Sequence, residues 1–214
     1  MNEFKIRQYT FGEEVFNAVT HGVGALLGII GTTSIVTLSI NAQDRFKTIV
    51  FLVYGLALIT LYTMSTMYHS IPFEKAKTIL RTFDHSTIYL LIAGTYTPLT
   101  LLLLRGSVKG EIICAVVWIA AIVGIILNVI SVEKFKKVSM FLYVAMGWAV
   151  IFAIKDVAAA LSTQGFWLLL LGGISYTGGI IFYKQKKRKY MHGVWHLFVL
   201  MGSVMHFICV CELV

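Results

Sequence analysis

Charge is scarce in this sequence. Only 13% of its residues are charged, about half of the roughly 25% usual in a soluble domain. Proline is nearly absent, with Pro72 and Pro98 alone, so most of the chain is free to stay helical. Cysteine is limited to Cys114, Cys209 and Cys211, all in apolar surroundings and with no CxxC pair. Neither a thiolate metal site nor a disulfide framework is supported by that pattern. The short alternating apolar segments of an outer-membrane barrel are missing too. The first 17 residues are polar and mixed in charge. They lack a short apolar stretch with a small-residue cleavage site, so no cleaved signal peptide is expected and the first span should remain as an anchor.

What the sequence has in quantity is apolar surface. Hydrophobic residues make up 58% of the 214, gathered in recurrent runs of the length, about 20 residues, that crosses roughly 30 Å of hydrocarbon. With no water to satisfy backbone groups in that layer, continuous runs of this kind read as helices. The expected fold class is an all-α integral membrane protein, a seven-transmembrane helix bundle. The predicted spans are 18–40, 48–69, 84–104, 111–130, 138–154, 165–183 and 193–213. Residues 1–17 form an N-terminal cytoplasmic segment, and 18–214 a single transmembrane domain. The fifth span is the hardest to bound. Lys155 and Asp156 interrupt it, and the Val-Ala-Ala-Ala-Leu segment that follows reads either as interfacial or as part of an extended helix.

The formal net charge of +8 would raise nucleic-acid binding in a soluble protein. Here the basic residues sit in short loops between apolar runs, where topology explains them, and no nucleic-acid partner is expected. With the N-terminus inside, the inner segments hold 13 Lys and Arg and the outer ones 5. That asymmetry predicts a cytoplasmic N-terminus and an outer C-terminus. The densest run, Lys184 to Lys189, serves as a topology anchor or recognises anionic lipid head groups. Gly24 with Gly28, Ala120 with Gly124, and the glycines Gly172, Gly173, Gly178 and Gly179 mark close helix packing.

Ionisable groups within such spans are costly and mark candidate functional positions. Five of six histidines fall at span ends on one predicted side: His21, His69, His85, His192 and His196. His206 lies ten residues past His196, about 15 Å further along the helix. His192 and His196 are spaced i, i+4 and share a face. Two such imidazoles and a third from another helix, His69, make a His₃ set that suits zinc with its fourth position open. The motif is HGVWH rather than HExxH, so the helix carries no glutamate base. Asp84 is the available carboxylate, either a base that takes a proton from water or a helix cap. Ser65, one turn before His69, orients His69, donates to an oxyanion, or simply packs. Imidazole suits several divalent metals besides zinc. His85 reads as interfacial, and His206 as an interhelical hydrogen-bonding residue before a ligand. Glu14, Asn17 and His21 share one helix face, either capping the first span or lining the same cavity.

In combination, Glu14–Asn17–His21 before the first span, Ser65–His69 ending the second, Phe83–Asp84–His85 opening the third and His192–His196–His206 in the seventh resemble the hemolysin III branch of the progestin and adipoQ receptor family. The resemblance covers nearly the whole chain. It implies a zinc ion near the cytoplasmic face, held by His69, His192 and His196 as in the adiponectin receptors, with Asp84 acting through water. It also implies kinship to the alkaline ceramidases, which set zinc, serine and aspartate similarly and hydrolyse a lipid amide. The long cytoplasmic N-terminal region of the receptors has no counterpart here, and the compact chain looks bacterial and suited to a plasma membrane. Three functions follow as expectations. The first is a zinc-dependent hydrolase of a lipid amide or ester, with Asp84 and Ser65 catalytic and membrane lipids as partners. The second is a non-enzymatic homeostasis protein or sensor with structural zinc, and the third is a pore-forming cytolysin.

Overall fold

The computed structural model describes residues 9–214; Lys5 and Arg7, counted above among the inner charges, lie outside the described residues. The described chain is helical, in the order α1 (Phe11–Asn41), α2 (Arg45–Ser70), α3 (Glu74–Pro98), α4 (Val108–Gly147), α5 (Ile154–Ala160), α6 (Thr163–Tyr183) and α7 (Met191–Cys211). No strand occurs among the described residues. Six helices are long and apolar enough to cross a membrane, which makes this a multi-pass membrane protein.

Local chemistry sets the helix starts. Thr10 caps α1 in a reciprocal box with Glu13, and Asp44, Ser107 and Ser162 cap α2, α4 and α6 by accepting from backbone N–H groups three residues on. Each cap satisfies a donor that the first helical turn leaves free. Pro98 ends α3, and the chain continues as a π-helical turn over Leu99–Leu103, the adjustment expected where a proline withholds its N–H.

The predicted spans map unevenly onto these helices. A 40-residue helix is about 60 Å long, twice the hydrocarbon thickness of roughly 30 Å. α4 has that length, but its backbone leaves the helical region at Ser131 (φ −172°, ψ 110°). The Ser131 hydroxyl then accepts from Lys134 N–H at 3.2 Å, starting a second helix as an N-cap does. Beyond Gly147 a 3₁₀ turn over Ala149–Ala153 leads into α5, which has only 7 residues. The Val-Ala-Ala-Ala-Leu segment is therefore a short separate helix end, anchored by buried Val157.

One boundary needs correction with a consequence for the site. α3 begins at Glu74, and its N-cap residue Phe73 makes no side-chain cap. Asp84 therefore lies well inside a helix, not at its start, and the capping reading fails. The apolar run that suggested a span from 84 marks only the less polar, largely buried portion of a longer helix.

Helices adjacent in sequence pack together from α1 to α4, α6 packs on α7, and α7 returns to α1. The backbones of α4 and α6 scarcely approach each other. Between them lies a cavity of about 150 Å³ walled by apolar side chains such as Ile88, Leu91, Ile92, Val144 and Ile180. Glycines permit the close contacts elsewhere: a Cβ on Gly24 would stand 2.5 Å from the Tyr62 ring and one on Gly124 2.1 Å from Tyr89.

Candidate metal centre

α2 ends and α7 begins at one end of the bundle, and that meeting point places the histidines. His69 lies one residue from the end of α2, and His192 and His196 occupy the first turns of α7. α7 is held there by α1. Glu13 accepts the N–H of Tyr190 at 3.0 Å, and Tyr190 takes a left-handed conformation (φ 62°) to present it. Gly193 admits the α1 helix, since a Cβ there would meet Phe16 at 2.2 Å and Asn17 Oδ1 at 2.7 Å.

The three side chains of His69, His192 and His196 are buried, and one nitrogen from each lies within 4.8 Å of the others. His196 is wholly enclosed, with 0% exposure. The His192 and His196 Nε2 atoms are 3.1 Å apart. Two nitrogens on a tetrahedral zinc, at 2.0–2.1 Å each, sit about 3.3 Å from one another.

The outer nitrogens fix the tautomers. Glu14 Oε2 lies 2.6 Å from His69 Nδ1, so Nδ1 carries the proton and donates it to the carboxylate. His69 Nε2 is left as a bare lone pair, and it is buried without a partner. His196 Nδ1 lies 3.2 Å from the Asn17 carbonyl, an atom that can only accept, so its proton too sits on Nδ1 and its Nε2 lone pair faces His192. A carboxylate behind His69 and a carbonyl behind His196, with the far nitrogen of each turned inward, is the arrangement that metal-binding histidines adopt. An orphaned acceptor inside a membrane protein is otherwise costly. The three histidines fit a metal ion.

Further groups surround this set. Glu14 also accepts from Lys77 Nζ at 2.5 Å, tying α1 to both α2 and α3. Thr20 donates to the Phe16 and Asn17 carbonyls and sits 3.3 Å from His196 Nδ1. His21 stacks on His196 with ring centroids 3.6 Å apart, and both its nitrogens are buried and unpartnered. Asp84 is buried, lines the cavity and faces His85 Nδ1 at 3.5 Å. The Ser65 hydroxyl is buried and outside hydrogen-bonding geometry to any group, although it interacts with Asp84.

Of the sequence candidates, the structure thus joins His69, His192 and His196 directly, with Glu14, Asn17 and His21 around them. His85 is set apart, its Nδ1 3.0 Å from the Arg81 carbonyl. His206 donates from Nε2 to the Leu169 carbonyl at 3.0 Å, the interhelical bond expected of it, with Gly172 making room for its ring. Sequence reasoning missed Thr20 and the Asn17 carbonyl. The i, i+3, i+7 spacing of Glu14, Asn17 and His21 already marked their face of α1.

These features define a class: a multi-pass helical membrane protein with a buried three-histidine centre at one end of its bundle. The chain matches the haemolysin-III related family model over residues 9–207, and it belongs to that family, in the hemolysin III branch of the progestin and adipoQ receptor proteins. It is 44% identical over 202 residues to the hemolysin-3 homolog of Bacillus subtilis, covering 94% of each chain. To the hemolysin-3 of Bacillus cereus it is 44% identical over 198 residues, covering 92% of this chain and 90% of that one. The human monocyte to macrophage differentiation factor is 29% identical over 203 residues, with 91% and 82% covered.

Proposed function

We propose that the protein is a seven-span bacterial plasma-membrane protein, N-terminus in the cytoplasm, whose three-histidine centre holds zinc and hydrolyses a lipid amide or ester. The break at Ser131 supports seven crossings, because it divides an overlong helix into one piece of spanning length and a shorter one that the 3₁₀ turn and α5 extend to Ala160. The excess of basic residues on the histidine side supports the orientation. The reading is carried by one observation: Glu14 and the Asn17 carbonyl turn the His69 and His196 protons outward, leaving lone pairs aimed inward.

Zinc bound by His69, His192 and His196 supplies Lewis-acid polarisation of a carbonyl and acidification of water. The chain's own groups do the rest. Asp84, on the cavity wall, takes the proton from the attacking water and returns it to the leaving group. The Ser65 hydroxyl, buried beside Asp84, donates to the carbonyl oxygen as charge develops on it. The apolar cavity holds an acyl chain and excludes bulk water.

Metal analysis and turnover on the purified protein test this. His196→Ala should empty the site, and equal metal content in variant and wild type would remove its basis. Asp84→Ala should keep the metal while turnover of a lipid amide or ester falls by about 10²–10⁴-fold; undiminished turnover would refute the assignment of Asp84.

A further inference from the structure

Cations from three separate stretches of chain converge beside the cavity, around Glu133 and the cavity-lining Lys136. They are Arg81 of α3, Lys136 just past the Ser131 break in α4, and Lys186 in the loop between α6 and α7. Lys136 lines the cavity together with Asp84, His85 and Tyr183, and its ammonium stands 5.7 Å from the Tyr183 ring centroid. A single carboxylate, Glu133, lies among the three cations, and it is engaged by Arg81. Asp84 sits further in and faces His85. The cluster is therefore left with an excess of two positive charges beside an apolar chamber that Lys136 lines.

Like charges are not brought together in a half-buried place without cost. Burial, and next the Lys186 ammonium, lower the Lys136 pKa to about 8. Burial alone would raise the Glu133 carboxyl, but Arg81, Lys136 and Lys186 hold it below its ordinary value. Both shifts are those of a cation cluster short of counter-charge.

We propose that Arg81, Lys136 and Lys186 bind the phosphate of a single-chain phospholipid whose acyl chain enters the cavity. A phosphate group brings up to two negative charges and several acceptor oxygens, matching two free ammonium groups and a guanidinium. At about 150 Å³ the apolar chamber has room for part of one acyl chain and not for two. This inference rests on the reading above that the cavity admits a lipid, and it narrows that lipid to one with an anionic phosphate head group.

The test is binding to full-length protein in neutral nanodiscs, read calorimetrically without turnover. The probes are monooleoyl lysophosphatidate, monoolein and inorganic phosphate. Lysophosphatidate should bind about tenfold or more tighter than monoolein, and inorganic phosphate should bind far more weakly than either. Lys136→Gln with Lys186→Gln should erase the preference, and Lys136→Arg with Lys186→Arg should retain it. Lys187→Gln with Lys189→Gln removes equal charge from the same loop outside the cluster and should also leave the preference intact.

Equal affinity for lysophosphatidate and monoolein overturns the head-group site while leaving the lipid cavity standing. Loss of preference in the Lys187 and Lys189 control reduces the effect to general surface charge and overturns it as well. Inorganic phosphate binding as tightly as lysophosphatidate makes the site one for a free anion. Failure of every amphiphile to bind removes the lipid reading itself.

Discussion

The two ends of the bundle treat their polar residues in opposite ways. At the end away from the histidines, polar side chains cap helices or pair at the surface. Asp44 and Ser107 each accept from the helix they start. Ser162 caps α6 and meets Glu212 at 2.6 Å, and Lys109 reaches Asp156 at 2.5 Å in an exposed pair. At the histidine end, polar groups from α1, α2 and α7 turn inward and bind across 50 or more residues of sequence, as in Glu14 with His69 and Asn17 with His196. The first end caps each helix locally and adds exposed pairs between neighbouring helix ends, Ser162 with Glu212 and Lys109 with Asp156. The second is a coupled set in which each residue orients another, and it leaves acceptors unfilled. Only the second pattern, costly within a membrane, demands a functional explanation.

Glu14→Ala should break the coupled end most severely. It frees His69 to turn or change tautomer and strands Lys77 without its partner. Loss of an outer partner of this kind typically costs about 10–100-fold in metal affinity. Zinc titration against a competing chelator measures it, and an unchanged affinity would mean that the His69 orientation is fixed by packing alone. Gly193→Ala comes next. Its methyl group would collide with Phe16 and Asn17 Oδ1, pushing α7 from α1 at a cost of about 1–3 kcal/mol. Thermal melting should fall, and metal affinity should fall with it, because the Asn17–His196 contact spans that same seam. Melting that drops while metal binding stays intact would show that the seam and the centre are separable.

Much of this was legible in the residues. Apolar runs and few prolines announce a helical membrane protein, and the family match bears out the resemblance that the combined motifs suggested. His192 and His196 share a face because the helix period requires it, and the structure brings His69 to them. The Ser131 break was itself legible, because the charged residues Glu133, Lys134, Lys136 and Lys137 ended the fourth predicted span at 130, one residue before it. Other features were hidden for physical reasons. Hydropathy sees apolar runs and not helix, so the polar stretch 74–83, with Lys75, Lys77 and Arg81, fell outside the span and its ten helical residues were hidden. The role of Glu14 depends on a contact 55 residues away, and no local pattern separates a capping glutamate from one that holds an imidazole. The tight seam at Gly193 reads in sequence as an ordinary small residue between two histidines.

At the opposite end the same comparison predicts small and local losses. Ser162→Ala removes the α6 cap to Gly165 N–H and the hydroxyl bonded to Glu212. A lost cap costs typically about 1 kcal/mol, and metal content should not change.

Lys109→Ala should do least. Its ammonium and the Asp156 carboxylate are half exposed, at 52% and 44%, so water and salt screen their attraction. Such pairs contribute about 0–1 kcal/mol. The pair joins the start of α4 to α5, and α5 is also held by buried Val157, so the helix end has a second attachment. Melting in low and high salt checks this, since the difference between Lys109→Ala and wild type should shrink as salt is added. A loss as large as that of Gly193→Ala, or any loss of metal, would show that the two ends communicate and that division into local caps and a coupled centre is mistaken.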